Sequence, residues 1–167
     1  FWFYSNDADG EDPPTNNSLI RMSDAGAIRH LISPNYTSDT VRIMQENDAG
    51  TNDTATFSGT GLKIGEWTHI IAHFDVGDLS DGVPRLWVNG TERSQTGYSA
   101  IGGTATNIDE VEVLLYEQVG IQDLIFWDKL LTDAEIKELY NGGNYINPST
   151  HSAQGDIVSW FKLGYES

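Results

Sequence analysis

Cysteine is missing from all 167 residues, so the chain has no disulfide framework. That sets aside a small disulfide-stapled ectodomain, though it neither demands nor excludes an extracellular setting. Positive charge is almost as scarce. Only 9 Lys and Arg stand against 25 Asp and Glu, a formal net charge of −16. Such a surface repels phosphate backbones and anionic lipid, which makes nucleic acid a poor partner and membrane attachment unfavourable. No apolar run approaches the roughly 20 residues of a membrane span, so no membrane insertion is expected, and no signal-peptide pattern is visible. Nucleophile chemistry also lacks its usual marks. There is no G-x-S-x-G elbow, and no phosphate-binding glycine loop opens a helix.

What is present reads as β structure. Glycine is abundant at 17 residues and aromatics reach 11%. Val, Ile, Thr, Tyr, Phe and Trp recur in short runs separated by turn residues. The length suits one domain with a full core. Strands are expected at Phe1 to Ser5, Leu19 to Met22, Ile28 to Ile32, Val41 to Met44 and Thr54 to Phe57. More are expected at Trp67 to Asp75, Arg85 to Val88, Thr91 to Ser94, Gln122 to Trp127 and Ile157 to Leu163. Asn89-Gly90 is a strong hairpin signal, because both residues tolerate positive φ. In the Trp67 strand, residues 67, 69, 71 and 73 share one face and 68, 70, 72 and 74 the other. Both faces are largely apolar, which predicts burial on both sides. Trp67, Trp87, Trp127 and Trp160 all fall in core patterns. The chain opens and closes within aromatic strands, so a segment of a larger protein is expected.

One helix is expected, over about 132–141. Thr132 with Glu135 three residues on forms a capping box, and Leu131 with Ile136 a hydrophobic staple. Asp133 and Glu135 complement the positive helix start. Gly142 is placed for a left-handed C-cap, and Ile136, Leu139 and Tyr140 form the apolar stripe.

Three separated segments, in order, carry a family pattern. They are Phe1-Trp2-Phe3-Tyr4; Gly65-Glu66-Trp67-Thr68-His69-Ile70-Ile71-Ala72 with Arg85-Leu86-Trp87-Val88-Asn89-Gly90; and Gly120 to Asp123 running on to Leu139-Tyr140. Together they resemble the laminin-G-like, concanavalin-A-like lectin-glucanase jelly rolls. The resemblance implies an all-β fold, a two-sheet antiparallel jelly-roll sandwich, with residues 1–167 as a single domain. It also implies a non-enzymatic module that binds glycans or proteins, since such modules are commonly attached to enzymes, adhesins or virion proteins.

The residues themselves offer four kinds of chemistry. Glu110 and Glu112 share a strand face roughly 7 Å apart, a spacing that overlaps glycosidase acid pairs. The third acid of the related glycanases is replaced by Leu114, so an exposed strand face is expected instead of catalysis. His69 and His73 have metalloprotease spacing, yet on a strand they stand roughly 13 Å apart, too far for one Zn²⁺. His69 is therefore expected at the core edge with its hydrogen bond satisfied. Asp7, Asp9 and Asp12 surround Gly10, and Asp75, Asp78 and Asp81 precede Gly82. Both clusters supply the oxygen ligands that Ca²⁺ favours, and both are also ordinary turns. Tyr36, Tyr98 and Tyr116, with Asn35 nearby, lie beside loops, where aromatic faces and amides serve sugar binding.

The expectation is a glycan-binding recognition or adhesion module, extracellular or on a virion surface, with Ca²⁺ as the one candidate cofactor. The alternative is an architectural surface or decoration domain of a viral capsid or tail, whose partners are protein subunits of a larger assembly. A glycoside hydrolase is a distant third.

Overall fold

The computed structural model describes residues 1–5, 19–36, 38–74, 82–105, 107–113 and 119–163. Its strands run in chain order as β1 (Trp2–Ser5), β2 (Ile20–Asp24), β3 (Ala27–Asn35), β4 (Thr40–Glu46), β5 (Asn52–Ser58) and β6 (Thr68–His73). They continue as β7 (Arg85–Val88), β8 (Thr91–Arg93), β9 (Gln95–Thr96), β10 (Glu110–Val113), β11 (Val119–Gln122), β12 (Leu124–Trp127) and β13 (Ile157–Phe161). The helix α1 (Asp133–Tyr140) lies between the last two.

Two antiparallel sheets pack as a sandwich, so the expected all-β, two-sheet architecture is the observed one. The first sheet has the order β11-β1-β6-β7-β8 and the second β10-β2-β3-β4-β5-β9, while β12 and β13 pair separately. Alternation explains the packing. Along β4, Val41, Ile43 and Gln45 turn inward while Thr40, Arg42 and Met44 do not. Phe3, Ile32, Val41, Ile43, Phe57, Ile70, Leu86 and Ile121 meet in the main core between the sheets. Each such buried side chain is worth about 1.5–3 kcal/mol of transfer free energy.

The outer face of the first sheet is covered as well, as the two apolar faces of β6 required. Leu131, Ile136 and Leu139 from the α1 region pack with Trp87 and Ala153, and Ile71, Trp127 and Ile146 close around them. The helix begins as its sequence specifies. Thr132 Oγ1 accepts from the Glu135 N–H at 3.3 Å, and Glu135 Oε2 accepts from the Thr132 N–H at 2.7 Å. The staple residues Leu131 and Ile136 are both buried. The helix stop comes one residue earlier than expected. Asn141 (φ 45°) takes the left-handed cap, its N–H donating to the Lys137 carbonyl, and Gly142 (φ 62°) follows in the same region.

His151, which no sequence pattern pointed to, locks the helix down. It is buried, its Nδ1 accepts from the Ala153 N–H at 3.1 Å, and so Nε2 is left to donate to the Glu135 carbonyl at 2.9 Å. The Asn89-Gly90 hairpin forms as expected, with φ 52° and 71°. Gly90 is needed twice over, because a Cβ there would lie 2.9 Å from Tyr140 Cδ1.

Two strand expectations need correcting. The Trp67 strand starts at Thr68, leaving Trp67 outside it. The Gln122–Trp127 strand is broken at Asp123, which adopts φ 50° and divides β11 from β12. Trp160 Nε1 donates to Asp123 Oδ1 at 2.8 Å and holds this joint.

Candidate functional site

The outer face of the first sheet carries an aromatic row that α1 covers only in part. Trp2 packs against His69 with ring centroids 4.8 Å apart and the planes tilted by 41°, and Tyr140 of α1 lies 6.2 Å from each of those rings. Two residues along β1 on the same face is Tyr4, whose ring is 5.3 Å from that of Trp67. Here the helix no longer reaches, and Trp67 is 46% exposed. It is the exposed tryptophan among the five, the rest being buried or half-buried.

Local chemistry places it there. Gly65, at φ 76°, turns the chain after Lys63, and its N–H donates to the Ser5 carbonyl at 2.7 Å. The turn is braced by the Lys63–Glu66 ion pair at 3.3 Å, which is exposed and so adds little stability. Trp67 then lies across the β1–β11 ladder, where Tyr4 pairs directly with Gly120. Gly120 has ordinary backbone angles, and its role is spatial: a Cβ there would stand 3.3 Å from Trp67 Cη2. Glu66, which precedes it in the chain, is exposed, and Gln122 shares the face of Gly120, opposite Trp2. An exposed indole face with a phenol ring beside it is the kind of surface that accepts the apolar face of a pyranose.

Sequence reasoning placed Trp67 in the core, which the structure corrects. The signals for exposure were the Gly65-Glu66 turn immediately before it and a glycine opposite Tyr4 in the partner strand. The latter is invisible without the register.

The other expected residues are scattered. Tyr36 stacks on Phe3 at 5.3 Å and packs against the main core, where burial pushes its phenol pKa upward against the pull of a Ser5 hydrogen bond. Asn35 supports a turn, its Oδ1 accepting from the Ser38 N–H at 2.9 Å. Tyr98 is half-buried and its hydroxyl donates to Gln45 Oε1 at 3.3 Å. Tyr116 and the six aspartates Asp7, Asp9, Asp12, Asp75, Asp78 and Asp81 lie outside the described residues. Among the described residues no three His, Asp or Glu gather to hold a metal.

Glu110 and Glu112 sit on an exposed strand, as expected, with Glu112 facing Arg21 at 3.7 Å. His69 is buried between aromatic rings, and its Nδ1 has no hydrogen-bond partner among the described residues. Burial holds its pKa well below the ordinary histidine value, so it stays neutral.

Many loop acids serve as backbone staples. Asp39 Oδ1 accepts from the Thr60 hydroxyl and from the Gly61 and Leu62 N–H groups at 2.7–3.0 Å. Burial works to raise its pKa, but these bonds and the charge of Arg93 outweigh it and hold the carboxyl below its ordinary value. Asp53 accepts from the Ser99 N–H at 2.7 Å, Asp48 from the Thr104 hydroxyl at 3.0 Å, and Asp109 from the Ala25 N–H at 3.2 Å. No model of a known protein family matches the chain, and no curated protein matches it either.

Proposed function

We propose that this domain is a non-enzymatic recognition module that binds glycan on the Trp67–Tyr4 platform. The observation that carries the reading is the half-exposed indole of Trp67 laid over Gly120, with the Tyr4 ring 5.3 Å away. The laminin-G-like sequence pattern supports the same class of function, and with it an extracellular or virion-surface setting. A Ca²⁺-assisted version of this reading would draw on the acidic clusters that the sequence offers.

The test is a glycan-array screen of wild type and Trp67→Ala, each with Ca²⁺ and with EDTA. Hits that survive EDTA and vanish in Trp67→Ala support a metal-free platform. Hits lost in both EDTA and the variant support the Ca²⁺-assisted form. Silence on folded, monodisperse protein, or hits indifferent to Trp67→Ala, sinks the proposal.

The architectural reading keeps one specific observation in its favour. Leu130, Val158, Phe161 and Val111 are exposed apolar side chains that border one cleft, the kind of surface that protein contacts cover.

A further inference from the structure

Charge, as well as shape, selects what the Trp67 platform can hold. Every Lys and Arg of the sequence falls among the described residues, so the cations can all be placed. Lys63 is the nearest to Trp67 along the chain, and it is tied to Glu66 at 3.3 Å. Arg21, Arg29 and Arg42 stand on strands of the second sheet. Arg85 and Arg93 stand on β7 and β8, and Arg85 pairs with His73, roughly 17 Å along β6 from Thr68. The remaining lysines lie around α1 and β13. Among the described residues the cation over an aromatic face is Arg85 over Trp87, at 4.5 Å. No described contact brings a positive charge to the open indole of Trp67.

The field there is set by the whole chain. Lys63 and Glu66 cancel each other, so setting that pair aside leaves the net charge at −16. A chain of 167 residues folds to a body of about 20 Å radius. With that charge spread over it, each positive group held at the surface gains roughly sixfold in affinity at 0.1 M salt and roughly thirtyfold at 0.01 M, and each negative group loses as much. The indole adds a preference of the same sign. Its negative face makes it the best aromatic partner for a cation, and the same face packs against the apolar side of a sugar ring.

We infer that the Trp67–Tyr4 platform takes an amino sugar whose amine is free and protonated, in preference to its N-acetylated, neutral or acidic counterparts. This inference rests on the glycan reading above and names the substrate class of that site. The pyranose ring supplies the contact with the indole, 46% exposed as it stands, and the ammonium answers both the ring face and the field of the chain. A carboxylate or sulfate in its place would meet that field with no described cation to neutralise it. The order of affinity is cationic, then neutral, then acidic, and the gaps widen as salt is diluted.

The experiment uses the full chain and two β-linked glucosamine hexamers, one with free amines and one N-acetylated, titrated at pH 6 into wild type and Trp67→Ala. Hexalysine serves as a probe that carries charge and no sugar. At 0.1 M salt the free-amine hexamer should bind wild type at least about fivefold more tightly than the N-acetylated one, and the gap should widen at 0.01 M. Trp67→Ala leaves the net charge unchanged. It should weaken the free-amine hexamer at least about fivefold and leave hexalysine unmoved. Equal binding of the two hexamers to wild type, with both lost in Trp67→Ala, overturns the amino-sugar class and keeps the platform. Tighter binding of a glucuronate hexamer, also lost in the variant, does the same. Free-amine binding that is indifferent to Trp67→Ala and follows hexalysine would be charge alone, which overturns this inference and counts against the platform. Failure of both hexamers to bind overturns this inference alone, since the array still tests the platform with other sugars.

Discussion

Acid should loosen this protein well before its carboxylates begin to matter, and His30 provides the clearest measure. The residue is 1% exposed in β3, its ring 4.9 Å from Phe74, and neither ring nitrogen has a hydrogen-bond partner among the described residues. Burial first, and the neighbouring Arg29 charge second, lower its pKa from 6.5 to about 4. The unfolded chain therefore takes up a proton below pH 6.5 that the folded chain refuses. Stability attached to this group is complete above pH 6.5, falls as pH drops, and is fully lost below about pH 4. With those two pKa values the loss between pH 7.5 and pH 5 comes to about 2 kcal/mol. His69 is lowered in the same direction and adds to the loss. Carboxylates with lowered pKa, such as Glu135 at about 2 and Glu138, contribute stability that is lost only below their ordinary value near 4.5, outside this window. The assay is urea unfolding of wild type and His30→Leu at pH 7.5, 6 and 5. The leucine removes the titration and keeps an apolar side chain of similar size, so its stability should fall less by about 2 kcal/mol over the window. Curves for the two proteins that stay parallel within about 0.5 kcal/mol would show that His30 does not resist protonation in the fold, and the burial argument would fail.

Thr132→Ala should cost about 1 kcal/mol in denaturant unfolding by removing the helix cap, whereas Thr132→Ser should be close to neutral. Gly90→Ala meets Tyr140 at 2.9 Å on a backbone at φ 71°, so a thermal melt should show a larger loss than for Gly97→Ala, where nothing lies within 4 Å of the new methyl. Trp160→Phe takes the donor from buried Asp123 and should cost about 1–3 kcal/mol by denaturant unfolding. If Trp160→Phe proves neutral, the Asp123 joint is not held in this way.

The sequence was most legible where local chemistry and tertiary burial agree. The capping box at Thr132 and Glu135, the staple at Leu131 and Ile136 and the Asn89-Gly90 turn depend on neighbours a few residues away, and each formed as read. The two-faced apolar pattern of β6 likewise anticipated a layer on each side of the first sheet. Trp67 was misread because period two was extended one residue past the Gly65 turn, and an indole scores as core whether or not anything covers it. His30 and His151 are buried for reasons set by long-range packing, which leaves no local trace. The broken strand at Asp123 also escaped notice, since an aspartate with positive φ looks like any other aspartate between apolar residues. The aromatic platform was out of reach for the same reason: Tyr4, Trp67 and Gly120 are neighbours only once the β1–β11 register is known.

The loop aspartates that bind backbone N–H groups change how a chain so rich in acid tolerates its surroundings. Asp39, Asp53 and Asp109 make contacts of hydrogen-bond length, 2.7–3.2 Å, with neutral backbone N–H groups. Dissolved ions screen charges separated by more than about 8 Å at physiological strength, but leave such contacts largely intact. Added salt therefore relieves the mutual repulsion of the unpaired acids without dissolving the turns. Brine should tighten this fold, the reverse of what it does to a protein held together by surface ion pairs. Because each staple needs a backbone amide and no lysine, further acidic substitutions in the loops require no compensating base elsewhere in the chain.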